Sequence, residues 1–176
     1  MGRVSQAQAQ ENRKRIVETA ARLFRERGIA GVSVADVMAE VGLTHGGFYK
    51  HFASKDALVA EAVGLAFAEA GERITSVDRA TFLDYYLSPG HRDAPGAGCP
   101  TAGFGGDLAR EAPGNAALPA YAQGVELYAR QLADDGGENL VAVSTMVGAL
   151  LLARATAGTD LSDRILAAAK ASLSSA

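Results

Sequence analysis

The sequence has no tryptophan and a single cysteine, Cys99, among its 176 residues. One thiol excludes an intramolecular disulfide framework and any cysteine-rich zinc or iron–sulfur centre. It suits a reducing compartment, so a cytoplasmic protein is expected. Only three histidines occur, His45, His51 and His91, and they lack metal-ligand spacing. No GK[ST] run exists to form a P-loop, and the glycine-rich stretch 96–106 follows no strand pattern, which removes a dinucleotide-binding reading. Three scattered histidines support no Ser–His–Asp order. The expectation is therefore a protein that is not an enzyme, with no metal and no cofactor.

Long apolar runs are also missing. The uncharged run 140–153 is bounded by Glu138 and Arg154. A membrane span needs about 20 apolar residues, so this run is expected to be a buried bundle helix, and no membrane partner is expected. The first fifteen residues, MGRVSQAQAQENRKR, contain no apolar core, and no secretory leader is expected. Proline is absent outside residues 89–119, which leaves the flanking regions free to run as uninterrupted helices.

Charge is unevenly placed. Residues 1–55 hold nine Lys/Arg against five Asp/Glu, and the rest hold eight against fifteen. A basic head on an acidic body points to a polyanion partner for the head alone.

Periodicity predicts an all-α chain, since no stretch keeps a period-two alternation between hairpin turns. A first helix is expected over about 11–27, with Ile16, Ala20, Leu23 and Phe24 on one stripe and Gly28 as its left-handed end. A second is expected over 34–41, opened by Ser33 with Asp36 completing a capping box and closed by Gly42. Thr44 opens a third over 45–51, and Ser54 a fourth that runs to the mid seventies. Shorter helices are expected over 79–87 and 100–111, separated by an irregular connection at 88–100. Longer ones are expected over 117–134, 139–157 and 160–173, with a turn at 134–139.

Only Gly42-Leu43 separates the second and third helices. Two short helices joined by a glycine turn are the helix-turn-helix pattern, in which the second helix fits the roughly 12 Å major groove of DNA. The run Gly42-Leu43-Thr44-His45-Gly46-Gly47-Phe48-Tyr49-Lys50-His51-Phe52, continued by Ala53-Ser54-Lys55-Asp56-Ala57-Leu58, strongly resembles the DNA-binding module of TetR-type transcriptional regulators. The basic first helix RIVETAARLFRERG and the Val32-Ser33-Val34 entry match that pattern as well. The resemblance implies a three-helix DNA-binding domain over 1–53 and a helical ligand-binding and dimerisation bundle over 54–176. Gly47 departs from the commoner Thr or Ala.

Ser33 and Thr44 stand at helix N-termini, where hydroxyls and free N–H groups take phosphate oxygens. Lys50 and His51 lie on nearby faces, and Lys55 opens the fourth helix, where a phosphate would offset its unfavourable place on the helix dipole. Thr44 and His45 are the candidates to reach base edges. Gly46 and Gly47 allow close backbone approach. The resemblance makes Tyr49 a phosphate contact. Phe48 and Phe52 are expected to lock the recognition helix on the first helix.

In the body, the resemblance implies an effector pocket for a small, largely hydrophobic molecule, with Phe67, Phe82, Tyr86, Phe104, Tyr121 and Tyr128 as candidate walls. Cys99, just before Pro100 at a helix start, is either a thiol activated by that helix or an inert buried residue. The last two helices carry Val143, Val147, Leu150, Leu151, Ile165 and Ala169, expected to pair with their copies in a twofold homodimer. The function expected is a ligand-responsive regulator, a repressor released from a palindromic DNA operator.

Overall fold

The computed structural model describes residues 6–133 and 136–174. Every regular element among them is helical. Part of the turn expected at 134–139, the last residue of the helix expected over 117–134 and both chain termini lie outside the described residues.

Helix α1 (Gln6–Arg27) starts earlier than the stripe of apolar residues required. It buries Ile16, Ala20, Leu23 and Phe24, and the Gly28 N–H donates to the Phe24 carbonyl at 2.9 Å with φ +78°. That is a left-handed helix end which a Cβ would strain. Helix α2 (Val34–Glu40) opens on a complete capping box: the Asp36 N–H donates to the Ser33 hydroxyl, and the Ser33 N–H donates to the Asp36 carboxylate. Hydrogen bonds to the carboxylate from the Ser33 hydroxyl and then the Ser33 N–H hold the Asp36 carboxyl below its usual range. It closes on a Schellman motif. The Leu43 N–H donates to the Met38 carbonyl, the Gly42 N–H to Ala39, and Gly42 sits at φ +71°.

Residues His45–Lys50 form a 3-10 helix instead of the α-helix expected over 45–51. Two successive glycines explain the difference. Each disfavours an α-helix by about 1 kcal/mol relative to alanine, so the segment takes a short, tighter form. Buried Phe48 stacks on buried Phe52, with ring centroids 5.4 Å apart, and holds it in place.

Helix α3 (Lys55–Thr75) begins at Ser54, whose hydroxyl accepts from the Ala57 N–H. It packs on α1 at one end and on α7 (Leu118–Gln131) at the other. Between them lie α4 (Arg79–Tyr86), α5 (Pro89–Arg92), a 3-10 turn at Pro95–Ala97 and α6 (Pro100–Leu108). The connection expected to be irregular at 88–100 therefore contains two short helical turns. Helices α8 (Leu140–Ala155) and α9 (Asp160–Ser174) close the chain and pack on each other. One apolar cluster runs from Ile16 and Phe48 through Phe67 and Phe104 to Leu150 and Leu173. Head and body thus share a core, and α3, α6 and the 95–97 turn all pack on α1.

Candidate nucleic-acid interface and body cavity

The capped ends of α2 and the anchored Phe48 leave one face of the 45–50 helix outward. Ser33, Thr44, His45, Gly46, Tyr49 and Lys50 are exposed, and Gly47 and His51 are half-buried. Tyr49 is 65% exposed although its ring stands edge-on to Phe48 at 5.3 Å, so its hydroxyl projects from a fixed base. Thr44 stands at the N-cap position without a side-chain capping bond, which leaves its hydroxyl available. Nothing lies within 4 Å of a Cβ built on Gly46. At Gly46, then, the backbone meets open space outside the protein. Lys55 is positioned differently from Lys50. Its ammonium donates to the Ile29 carbonyl and lies 5.8 Å from the centre of the Phe24 ring.

In the body, a cavity of about 220 Å³ opens between α3, α4, α7 and the 97–99 segment. Arg73, Ser76, Val77, Thr81 and Tyr85 form its exposed mouth. Ala70, Phe82, Tyr86, His91, Cys99 and Tyr128 form its buried floor. Of the six aromatics expected to wall a pocket, Phe82, Tyr86 and Tyr128 do so. Phe67, Phe104 and Tyr121 do not line it. Phe67 packs edge-on to Tyr121 at 5.6 Å, the Tyr121 hydroxyl donates to the Thr101 carbonyl at 2.9 Å, and Phe104 is fully buried. Large rings at helical spacing fill the core first, and only those beside a gap become wall.

Buried His91 and half-buried Arg154 organise the cavity floor. His91 joins the end of α4 to the start of α6. Its Nε2 accepts from the Cys99 N–H at 3.0 Å, so Nδ1 carries the proton and donates to the Tyr86 carbonyl at 2.8 Å. Burial lowers the His91 imidazole from its usual value, and neighbouring Arg154 and Arg73 act in the same direction. Arg154 on α8 donates to the carbonyls of His91 and Arg92, satisfying the end of α5. Neither residue stood out in the sequence, because a lone histidine and a lone arginine on an apolar helix carry no pattern. Burial pushes the Tyr86 and Tyr128 phenols well up, and Tyr121 up to about 12, so all three remain protonated near neutrality. Cys99, at the N-cap of α6, is buried and makes no side-chain capping bond.

Residues 16–62 match the family model described as bacterial regulatory proteins, tetR family. The head is thus a TetR-family DNA-binding domain. The chain is 42% identical over 59 residues to the transcriptional regulator TtgR of Pseudomonas putida, covering 34% of this chain and 28% of that protein. It is 40% identical over 52 residues to the uncharacterized regulator YerO of Bacillus subtilis, covering 30% of this chain and 18% of that one. The match therefore spans less than a third of either relative. A TetR-family regulator from Agrobacterium tumefaciens of solved structure superposes with a TM-score of 0.74 at 22% identity, over 94% of this chain and 97% of that one. That likeness extends the family's fold to the body.

In this TetR-family fold the expected pairing residues of α8 and α9 divide. Val143, Leu150 and Ala169 are buried inside the protomer, Val147 and Ile165 are half-buried, and Leu151 is exposed. Three of the six thus face the protomer's own core. The outward face of α8 carries Val141, Ser144, Leu151 and Leu152, and Leu161 stands beside it on α9. Val141 is 76% and Leu152 58% exposed. The most regular apolar spacing marks the inner face, because the protomer's core takes the first claim on it.

Among the described residues no helix is long and apolar enough to cross a membrane, and no group of three His, Cys, Asp or Glu is placed to hold a metal ion.

Proposed function

We propose that the chain is a ligand-responsive transcriptional repressor that acts in the cytoplasm as a homodimer on a near-palindromic DNA operator. The observation that carries this reading is the outward set Thr44, His45, Gly46, Tyr49 and Lys50 on a helix pinned from behind by Phe48. Such a helix enters the major groove without rearranging the core. Thr44 and His45 reach base edges, while Ser33, Tyr49, Lys50 and His51 take phosphates. Gly46 and Gly47 bring backbone close to the duplex. Lys55 contributes positive charge at the junction while bound to the Ile29 carbonyl.

Two copies pair through the exposed apolar face of α8 and α9, with Val141, Leu151, Leu152 and Leu161 at its centre. The head covers residues up to Ala53, and the effector and pairing body begins at Ser54. A small molecule in the cavity changes the packing of α3 and α6, both of which reach the head. The spacing of the two recognition helices then no longer fits successive grooves. Release requires the ligand to bind the DNA-incompetent arrangement more tightly than the other.

Fluorescence anisotropy with duplexes tiled across the DNA flanking the chain's own coding region tests the proposal. Salt-dependent, sequence-selective binding at a two-half-site duplex is expected. Equal affinity for every duplex contradicts it.

A further inference from the structure

The cavity's donors and acceptors are unbalanced. Tyr86 lines the floor and is 2% exposed, and among the described residues its hydroxyl makes no hydrogen bond to a nitrogen or oxygen, having only the Cys99 thiol beside it. At the mouth, the Arg73 guanidinium makes no hydrogen bond or ion pair among the described residues. Cys99, the residue that opens α6, lines the same space and brings the positive end of that helix towards it.

Acceptors are scarce by comparison. Among the described residues no Asp or Glu lines the cavity. The nearby Asp78 carboxylate is spent on Thr81, capping α4. Both nitrogens of His91 are already engaged by backbone groups. Arg25 and Arg154 lie close enough to Cys99 for charge to be felt between them, which adds to the positive field around the floor. An ammonium ligand would meet the Arg73 cation and no opposing carboxylate in the lining, whereas an anion meets that cation at the mouth and the Tyr86 hydroxyl as a donor.

The remaining surface is flat and apolar. Phe82 and Tyr128 stand 6.2 Å apart with Val77 and Ala70 beside them. A volume of about 220 Å³ falls below the roughly 300–1,000 Å³ of sites for drug-sized ligands and suits a molecule on the order of ten non-hydrogen atoms.

Resting on the reading of the body as an effector domain, we infer that the cavity takes a compact aromatic carboxylate. Its ring lies against Phe82 and Tyr128, and its carboxylate accepts from the Tyr86 hydroxyl and pairs with Arg73.

The test is calorimetric titration of the full chain with benzoate and 2-naphthoate, each beside its carboxamide and its aminomethyl counterpart. The carboxylates are expected to bind, the amides at least about tenfold more weakly and the amines not at all. Arg73→Ala should weaken the carboxylates by about tenfold while changing the amides little. Tyr86→Phe should weaken the carboxylates several-fold yet raise the melting temperature of the free protein, because an unsatisfied hydroxyl is removed. That opposition between binding and stability separates a ligand contact from a merely structural role. Amides or amines binding as tightly as carboxylates, affinity indifferent to Arg73, or no binding by any compound overturns the inference. Operator binding measured without any compound reports on the regulator reading alone, so the two can fail separately.

Discussion

The Asp107 carboxylate, on α6, accepts a hydrogen bond from the Ile29 N–H at 2.8 Å. The Ile29 carbonyl in turn accepts from the Lys55 ammonium at the start of α3. Ile29, just past the end of α1, is thus held by α3, which lines the cavity, and by α6, whose N-cap residue does. The N-cap of α6, Cys99, is cavity floor, and Asp107 near its other end is tied to the head. A ligand that displaces α6 along its axis therefore acts on the base of the DNA-binding unit directly.

Asp107→Ala should lower the unfolding free energy by about 1–3 kcal/mol, because the half-buried Ile29 N–H loses its acceptor. Urea denaturation measures the loss, and hydrogen exchange should accelerate at Ile29 in particular. Arg110→Ala removes only the exposed partner of Asp107 and should change little. Equal losses in the two variants would place the contribution in the surface ion pair.

Lys50 and Lys55 should behave differently. Lys50→Ala should flatten the dependence of operator affinity on salt by about one unit per subunit, with folding stability unchanged. Lys55→Ala should lower thermal stability as well, since it frees the Ile29 carbonyl. Anisotropy at several salt concentrations, together with thermal melts, checks both. An unchanged slope for Lys50→Ala removes it from the phosphate contacts.

Leu152→Glu places a carboxylate on the exposed face of α8 and should give folded monomers that bind the operator poorly. Leu150→Glu, two residues earlier, buries an unpaired charge at a fully buried position and should prevent stable folding. Light scattering and circular dichroism distinguish the two. A Leu152→Glu variant that remains dimeric would move the pairing surface elsewhere.

The His91 bridge gives a pH dependence of defined sign. Burial holds its folded-state pKa below the ordinary 6.5, so below pH 6.5 the unfolded chain binds more protons than the folded one. Stability is fully present above 6.5 and falls as the pH drops below it. Chemical denaturation between pH 5 and 7.5 should show that decline, and His91→Gln should lose this part of it while being less stable throughout. An identical pH profile for the variant would assign the decline to other groups.

Backbone-directed features of the head were legible because each is local. Gly42 and Asp36 act within a few residues of themselves, and the structure contains the Schellman motif and capping box that their spacing specifies. The 45–50 helix was legible in place but not in form, since paired glycines shift a balance between two helix types by small energies. Features made by distant chain segments were not legible. Which side of α8 faces the protomer depends on where α7 and α9 lie, so Leu150 and Leu152 could not be told apart. His91 became important only when folding brought Cys99 to its ring. Likewise, Phe67, Phe104 and Tyr121 have the same chemistry as Phe82, Tyr86 and Tyr128 and differ only in what lies beside them.

The most direct measurement is selection of duplexes from a randomised pool by the full chain, followed by sequencing. The account predicts two inverted half-sites separated by about one helical turn, with His45→Ala altering preference at one position of each half. A pool that stays random, or a single unpaired half-site selected equally well by Leu152→Glu, would contradict it.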